Sequence, residues 1–500
     1  MSQSGGARIS KRIMSLSRKL LIALLIIILL LIGFAGYVWY GNPSDRPIEA
    51  TMGKDPILPD PEARKIPSFS LPSPVGWPNG ALPTAAQGMK VSRFAADLDH
   101  PRTMLTLPNG DVLVAETNAP PRSDGGGITG FVMNLFMKKV GAAGPSANTI
   151  VLLRDADGDG RAEGRFVFRK DDMNSPSGMA FGNDKLYIAN HNAVLAFDFK
   201  PGATVLQGKP KKLMDLPPGG NHWMRNLVLS EDGKNLYVGV GSASNIGENG
   251  SEEEVGRAAI WEIDLEKGSR RLFASGMRNP NGMGWNPSTG EFWATVQERD
   301  MLGPDLVPDY LTNVPVGAHY GWPWIYWKDK YDDRVNNPMP IYLAQYVRKP
   351  EYALGAHASA LGLLFSNGGN RMGDAFANGA FIARHGSWNR KPPAGYDVIF
   401  VPFDARGNPS GKAVTVLNGF LTDNGKEARG RPVWLAWDKT GALLVSDDTS
   451  GVIWRVEAPG AKLSKAPARV VGESLPPLRE LDATISREFE MKIKSDYVTE

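Results

Sequence analysis

Six copies of a strand–turn–strand pattern are spread along the chain from about residue 100 to residue 450. Each copy has a short apolar strand, a tight turn containing Gly, Asn, Asp or Thr, and a second strand of small and β-branched residues. Two strands joined by such a turn form a β-hairpin. The turns and second strands read, in chain order, NGDVLVAET, NDKLYIAN, DGKNLYVGVGS, TGEFWATVQE, NGAFIARHGS and TGALLVSDD.

The first strands of the copies are also alike: RTMLTLP, SGMAFG, RNLVLS, NGMGWNP, ALGLLFS and VWLAWD. Hairpins that recur every 50 to 90 residues or so leave room for four strands per repeat, which is typical of propeller blades. We therefore predict an all-β chain folded as a six-bladed β-propeller, with GVIWRVEA as a late strand near the ring closure. A β-sandwich is the alternative, but it does not explain a sixfold repeat.

The composition excludes several classes of protein. With 56 basic and 53 acidic residues the net charge is +3, so the chain has no general nucleic-acid surface. It contains no cysteine, which excludes disulfides, a thiol nucleophile, thiolate metal sites and covalently attached haem.

An unbroken uncharged run, LLIALLIIILLLIGFAGYVWY, extends from Leu20 to Tyr40. Its length suits one membrane crossing, and the basic residues before it favour a cytoplasmic N-terminus. We predict one N-terminal transmembrane helix that places the propeller outside, in the periplasm of a bacterium, at the inner membrane. A cleaved signal peptide is the competing interpretation, although its apolar core would be only about 7 to 15 residues long.

These features divide the chain into five parts. The predicted parts are a cytoplasmic basic tail (1–19), a transmembrane anchor (20–40), a proline-rich tether (41–84), the propeller (85–460) and a charged C-terminal tail (461–500).

Candidate site residues lie in the loops that would converge on one mouth of the ring. His222, in GGNHWMRNLVLS, precedes the inner strand of the third repeat, and Arg225 follows it. A neutral imidazole there is able to accept a proton from a substrate hydroxyl, but a structural hydrogen bond is the more frequent role of a single histidine.

Arginines occupy similar positions in later repeats. Arg278 and Asn279 open the fourth repeat, and Arg429 and Arg431 open the sixth. Guanidinium groups directed at one axis would form a receptor for a planar ligand with several negative charges. Salt bridges between blades are the structural alternative.

Two acidic loops offer oxygen ligands of the kind that calcium prefers. The loop after the fourth repeat contains Glu298, Asp305 and Asp309 with the carbonyls of Gly303 and Pro304. In RDADGDGRAE, Asp155, Asp157 and Asp159 alternate as in an EF-hand, but the twelfth position is Phe166, so the bidentate carboxylate is missing. A solvated hairpin turn is an equal interpretation of the second loop.

From about Gly88 to Val456 the chain resembles the soluble sugar dehydrogenases that depend on pyrroloquinoline quinone, and above all their L-sorbosone dehydrogenase branch. The resemblance depends on five ordered segments: GGNHWMRNLVLSEDGKNLYVGVGSASN; SGMRNPNGMGW; GPDLVPDYLTNV with GAHYGWPW; ARHGSWNR with GYDV; and RGRPVWLAWD with GALLVSDDTSGVIWRV. The chain departs from the glucose branch at Asn221, at Pro176 and near His385, so the resemblance does not name the sugar.

The resemblance implies a role for each matching residue. His222 would be the general base, Arg278 and Asn279 would contact cofactor or substrate, and Arg429 with Arg431 would hold the cofactor carboxylates. Arg225 and His385 would also contact the cofactor. The carbonyls of Gly303 and Pro304, with Asp305 beside them, would bind Ca²⁺, and Asp155, Asp157 and Asp159 form a possible second metal site.

The implied activity is the oxidation of a sugar, aldehyde or alcohol by hydride transfer to pyrroloquinoline quinone, with Ca²⁺ polarising the quinone. Electrons would pass on to a membrane quinone or a cytochrome. Two other functions fit a propeller: a calcium-dependent hydrolase or lactonase, and a non-catalytic binding protein of the cell surface.

Overall fold

The computed structural model describes residues 16–63, 70–120 and 144–470. Six antiparallel sheets form its body, and the first strands of neighbouring sheets contact one another around a closed ring. We number these sheets blades 1 to 6 in the order of their inner strands, and call the strands of each blade inner, second, third and outer. The predicted six-bladed β-propeller is confirmed.

Each predicted hairpin supplies the inner and second strands of one blade. The strands of blade 1 are Pro101–Thr106, Val112–Glu116, Thr149–Arg154 and Gly164–Arg169. Those of blade 2 are Gly178–Gly182, Lys185–Ala189, Ala193–Asp198 and Lys211–Asp215. Those of blade 3 are Leu227–Leu229, Asn235–Val240, Ala259–Asp264 and Arg270–Ser275.

Blades 4 and 5 each gain a fifth strand from the N-terminal segment. Blade 4 comprises Asn279–Trp285, Phe292–Gln297, Pro308–Asn313 and Tyr352–Ala356, with Met52–Gly53 at its edge. Blade 5 comprises Ala360–Phe365, Gly379–Arg384, Asp397–Pro402 and Val414–Asn418, with Thr84–Ala85 at its edge.

Blade 6 closes the ring with strands from both ends of the propeller. Its first three strands are Pro432–Trp437, Leu443–Asp447 and Val452–Glu457, and its outer strand is Lys90–Ala95. The late strand predicted from GVIWRVEA therefore pairs with an early one, so that strands from both ends of the propeller close the ring within one blade.

The remaining elements are short, apart from one helix. Two small ribbons pair Ser73–Pro74 with Glu427–Ala428 and Ile325–Tyr326 with Lys330–Tyr331. Short helical turns cover Ile48–Thr51, Glu252–Glu254, Leu343–Tyr346 and Asp374–Phe376.

The N-terminal helix extends over Leu16–Tyr40, and its side chains are described at residues 18–34, 36 and 37. Among the described residues, no helix meets the length and hydropathy required for a membrane crossing. The transmembrane anchor of residues 20–40 stays a prediction, and most of the basic tail lies outside the described residues.

The core lies between blades, where strands buried on both faces pack sheet against sheet. Inner strands approach closely at glycines: a Cβ on Gly178 would lie 2.2 Å from the carbonyl oxygen of Arg225, and one on Gly282 would lie 2.4 Å from that of Leu361. Any larger residue there would force neighbouring blades apart. This packing requirement explains the glycine in the first strand of both repeats.

All six inner strands start at one face of the ring, which we call the mouth, and all six second strands end there. Loops before inner strands and after second strands therefore meet at the mouth. In blades 1, 4, 5 and 6 the strand register shifts near the mouth end of the inner strand. Such bulges bend a strand and redirect its side chains.

The segment predicted as a tether packs against the propeller over its described parts, 42–63 and 70–84. Met52 pairs with Leu354, and the indole Nε1 of Trp77 donates to Asp447 over 3.0 Å. The described parts of this segment are therefore held on the propeller, and the division of the chain at residues 41 and 84 stays a prediction. Residues 471–500 of the C-terminal tail lie outside the described residues.

Candidate functional site

His222 stands at the mouth in the loop before the inner strand of blade 3. Its Nδ1 lies 2.9 Å from the carbonyl oxygen of Ser242 and 3.0 Å from the hydroxyl oxygen of the same residue. That hydroxyl donates to the carbonyl of Ser244, so both Ser242 atoms act as acceptors toward the ring. The proton of the neutral imidazole therefore belongs on Nδ1, and Nε2 keeps its lone pair.

The surroundings of His222 keep its ring neutral. Burial, followed by the neighbouring Arg278 guanidinium, lowers the pKa of His222 to about 3, although Ser242 and Asp300 oppose the shift. Nε2 makes no hydrogen bond to another described residue. An unprotonated nitrogen with a free lone pair at the mouth is the chemical requirement of a general base.

Asn279 and Gly241 position His222 from the other side. The side-chain Nδ2 of Asn279 donates to Gln297 over 2.5 Å, while its Oδ1 is buried without a described partner. A Cβ on Gly241 would lie 2.2 Å from that Oδ1 and 2.5 Å from the Cβ of His222. The glycine thus lets a base and an unsatisfied acceptor lie side by side.

Arg278 is buried and uses its donors within the protein. Its Nε and Nη2 donate to the carbonyl and side-chain oxygens of Asn245, and Nη1 donates to the carbonyl of Glu298 over 2.6 Å. Nη2 also contacts Asp300 at 3.1 Å. Arg278 therefore lies at the mouth, as predicted, but its hydrogen bonds join two mouth loops. Its positive charge also lowers the pKa of His222.

Asp300 and His357 continue this network toward blade 5. One oxygen of Asp300 lies 3.0 Å from Nδ1 of His357, and Nε2 of His357 lies 2.9 Å from the carbonyl oxygen of Gly303. Despite burial, Asp300 and Gly303 raise the pKa of His357. Since both ring nitrogens face acceptors, His357 is favoured as an imidazolium.

A second cluster joins blades 1, 5 and 6 around the buried carboxylate of Asp448. Nη1 of Arg102 donates to it over 2.5 Å, and Nε2 of His385 lies 3.0 Å away. Burial and the nearby Arg431 lower the pKa of His385 to about 4. His385 is thus a neutral donor to Asp448 at the mouth.

Arg431 lies over this second cluster. Its Nε and Nη2 donate to the carbonyls of His385 and Gly386, its guanidinium carbon is 5.4 Å from the ring centre of Tyr396, and its backbone nitrogen donates to Asp447. Nη1 makes no hydrogen bond to another described residue. Arg431 is half-buried, so it offers two free donors at the mouth.

Trp223 and Met224 connect the two clusters. The guanidinium of Arg102 lies 5.4 Å from the ring centre of Trp223, and its Nη2 lies 2.9 Å from the sulfur of Met224. These residues directly follow His222 in the chain. The base and the Asp448 cluster therefore share one loop.

Arg225 and Arg429 lie apart from this arrangement. Arg225 is fully buried and donates to the carbonyls of Pro217, His222 and Met224, so its interpretation as a cofactor contact is corrected: it holds the loop that carries His222. Arg429 donates to the carbonyls of Gly419 and Leu421 in the connection between blades 5 and 6. Among the described residues, no hydrogen bond joins Arg429 to His385 or Gly386, whose carbonyls accept from Arg431.

Two of the donors predicted for Ca²⁺, the Asp305 carboxylate and the Gly303 carbonyl, contact other groups of the protein. The hydroxyl oxygen of Ser44 lies 2.9 Å from Oδ1 and 2.6 Å from Oδ2 of Asp305, and Oδ1 lies 3.1 Å from Nη2 of Arg390. The Gly303 carbonyl faces the cationic ring of His357. Asp305 and the Gly303 carbonyl thus already have partners in the protein, and the calcium site at Gly303, Pro304 and Asp305 stays a prediction.

The second acidic loop lies on the face opposite the mouth. Oxygen ligand atoms of Asp155, Asp157, Asp159 and Glu163 fall within 4.8 Å of one another. Lys439, in a turn of blade 6 on that opposite face, contacts Asp155. The possible metal site there stays a prediction, distinct from the mouth.

Sequence reasoning missed several mouth residues because they resemble ordinary loop residues. Asp448 directly follows the second strand of blade 6, and Asp300 lies three residues after the second strand of blade 4. Arg102 lies at the start of the inner strand of blade 1. The same position rule that selected Arg278 and Arg431 would have selected Arg102. The rule also covers His357, three residues before the inner strand of blade 5, and Ser242, two residues after the second strand of blade 3.

The mouth fits an anionic planar cofactor in its chemistry. It presents free donors on Arg431 and the free Nε2 of His222, and beneath them lie the buried, unpartnered Nε of half-buried Arg102 and the buried, unpartnered Oδ1 of Asn279. The residues present would hold pyrroloquinoline quinone through Arg431 and Arg102.

Comparisons with known proteins agree with this fold. A 24% identical relative, a pyrroloquinoline quinone-dependent pyranose dehydrogenase of Coprinopsis cinerea, aligns over 74% of this chain and 54% of its own length. The chain therefore spans about half of that relative. An uncharacterised protein of Borreliella burgdorferi is 28% identical over 57% of this chain and 76% of its own length.

Solved structures show the same architecture. The family AA12 carbohydrate-active enzyme of Trichoderma reesei superposes with a TM-score of 0.61 at 19% identity, over 75% of this chain and 97% of that chain. The holo pyranose dehydrogenase domain of Coprinopsis cinerea gives a TM-score of 0.59 at 20% identity, over 77% of this chain and all of that domain.

The model of the TrAA12-like family matches residues 146–308 and 342–459, which together make up more than half of the chain. The resemblance to the quinone-dependent sugar dehydrogenases is confirmed at this level, while its sorbosone branch stays a prediction. With its six blades and its matched repeats, this chain belongs to the TrAA12-like family.

Proposed function

We propose that the protein is a dehydrogenase that oxidises a sugar or related alcohol or aldehyde with pyrroloquinoline quinone as its cofactor. The observation that carries the proposal is the free, unprotonated Nε2 of His222 at a mouth that also holds Arg431 and Arg102. When bound, the cofactor supplies a two-electron acceptor. The relative from Coprinopsis cinerea, named for the same cofactor and for pyranose, supports the substrate class.

His222 accepts the proton of the substrate hydroxyl at Nε2. Its Nδ1 stays protonated and continues to donate to the oxygens of Ser242. The carboxylate of Asp300 raises the pKa of His222, so it favours the imidazolium that results. An anionic ligand at the mouth acts in the same direction, because negative charge offsets the effect of Arg278. The base therefore becomes stronger once the cofactor is in place.

Arg431 and Arg102 bind carboxylates of the cofactor. Arg431 contributes two free donors in a plane fixed by Tyr396 and by the carbonyls of His385 and Gly386. Asp448 holds Arg102 in place from beneath. Donors fixed before binding lose little conformational entropy when a ligand arrives.

We also propose that the N-terminal helix anchors the protein in the bacterial inner membrane, with the propeller in the periplasm. The support is the uncharged run from Leu20 to Tyr40 and the exposure of its leucines, for example 67% at Leu30. Electrons would then leave for a membrane quinone or a cytochrome.

Reconstitution tests the redox proposal. Full-length protein in detergent is mixed with pyrroloquinoline quinone, cofactor binding is followed by absorption, and aldoses, aldehydes and polyols are offered with a reducible dye. We expect binding at micromolar concentration and dye reduction by at least one sugar. Absence of cofactor binding, or hydrolysis of a lactone without dye reduction, would refute the proposal.

Variants assign the roles. His222→Gln is expected to lower kcat by about 100-fold or more while cofactor binding changes little. Arg431→Ala is expected to weaken cofactor binding chiefly. His319→Gln is the matched control, because His319 is another largely buried histidine with a pKa lowered to about 4, but it bridges outer parts of blades 3 and 4.

A further inference from the structure

The segment after the N-terminal helix is fixed across the mouth side of blades 4 to 6. We call residues 42–63 and 70–85 the strap. Its backbone pairs with Leu354 in the middle of the outer strand of blade 4, with Glu427–Ala428 between blades 5 and 6, and with Leu417 near the mouth end of the outer strand of blade 5. The hydroxyl of Thr51 also accepts from the backbone nitrogen of Ala356, at the mouth end of the outer strand of blade 4.

Where it leaves the helix, the strap is attached to buried residues of the mouth. The backbone nitrogen of Ser44 donates to the carbonyl of Lys391 over 2.7 Å, and its hydroxyl oxygen lies 2.6 Å from a carboxylate oxygen of Asp305. Nη2 of Arg390 contacts Ser44 and Asp305 at 3.1 Å each. Asp305 and Arg390 are both buried mouth residues, so this attachment belongs to the rigid body of the propeller.

Very little chain separates that attachment from the helix. The helix ends at Tyr40, and the backbone of Gly41 still donates to Tyr37. Only four peptide links join Tyr40 to Ser44, and a fully extended chain covers at most about 3.6 Å per residue. The mouth loops at Ser44 therefore lie within about 14 Å of the helix end.

The strap also exposes apolar side chains on this side of the molecule. Ile57, Val75 and Leu82 have exposed fractions of 54%, 52% and 44%. Apolar side chains beside a membrane anchor are suited to contact with the lipid interface.

We infer that the propeller is held with its mouth toward the membrane surface, so that the candidate site opens onto the bilayer and not away from it. The inference rests on the proposed membrane anchor and not on the proposed redox chemistry. The partner that this surface fits is a lipid bilayer. Substrate and electron acceptor then reach His222 and Arg431 through the gap between the mouth and the membrane.

Fluorescent labels test this orientation, since the chain has no native cysteine to interfere. Asp423→Cys places a label on the exposed mouth side between blades 5 and 6, and Lys267→Cys places one on an exposed turn of the opposite face of blade 3. Full-length protein is reconstituted into phosphatidylcholine–phosphatidylglycerol vesicles containing an acceptor lipid. Energy transfer to the lipid is then measured.

We expect transfer to be about twofold or more higher from position 423, because a six-residue strand separates the faces by about 20 Å. In a matched variant, about 30 Gly/Ser residues are inserted between Gly41 and Asn42. A flexible linker of that length spans about 30 Å, so the difference between the labels should vanish.

Three outcomes would overturn the inference. Equal or reversed transfer in the original chain contradicts the orientation, and an unchanged difference after the insertion shows that the short connection does not set it. Failure of the protein to float with vesicles would refute both the proposed membrane anchor and the inferred orientation. Dye-linked activity in detergent is measured separately, so none of these outcomes is confused with failure of the redox proposal.

Discussion

Replacing His222 with glutamine should make the apoprotein less sensitive to acid. The pKa of His222 is about 3 in the folded protein and close to its ordinary value of 6.5 after unfolding. Below pH 6.5, His222 is protonated in the unfolded chain but stays neutral in the folded protein. The free energy of unfolding therefore falls as the pH falls. Glutamine has no such proton.

The magnitude follows from the two pKa values. Between pH 7 and pH 4.5 the histidine costs the folded state about 2 to 3 kcal/mol, at about 1.4 kcal/mol per pH unit below 6.5. The contributions of the other histidines are common to both proteins and cancel. The lost hydrogen bond to Ser242 lowers the stability of the variant at both pH values and cancels as well.

Urea unfolding followed by tryptophan fluorescence measures this difference. The free energy of unfolding is determined for the original protein and for His222→Gln at pH 7 and pH 4.5. We expect the original protein to lose about 2 to 3 kcal/mol more than the variant. Identical losses would refute the assignment of His222 as a neutral, strongly desolvated imidazole, and with it the argument for a free base at Nε2.

Three further substitutions test the packing of the mouth. Gly241→Ala should lower kcat about 100-fold with an unchanged fold, since the added Cβ would displace His222 by about 1 Å. Gly284→Ala is the control, because its added Cβ would lie 3.6 Å from the nearest atom. Equal activity of the two variants would contradict the proposed displacement of His222. Asp448→Asn should destabilise the protein by about 3 kcal/mol in urea, because it leaves the Arg102 charge buried without its partner. Trp77→Phe removes one hydrogen bond to a buried carboxylate and should cost about 1 to 2 kcal/mol; no loss would show that the strap does not depend on this contact.

The sequence alone predicted the architecture because the information is local and repeated. Hairpins such as the one at Asn183 combine a turn that tolerates positive φ with strands of β-forming residues, and six of them leave only a ring as a way to bury both faces of every sheet. It also predicted that His222 and Arg431 stand at one mouth, because their position at the start of an inner strand determines the face on which they lie.

Tertiary structure decided what each charged side chain does there. Arg225 and Arg431 occupy similar positions in the sequence. Arg225 donates to loop carbonyls in the interior, whereas Arg431 keeps two free donors at the mouth. Asp305 pairs with Arg390 across 85 residues of chain, and Ser44 joins them from a segment with no periodicity. Such partners are set by packing between distant loops, where no local propensity acts, and for that reason the strap and the charge networks emerged only from the folded chain.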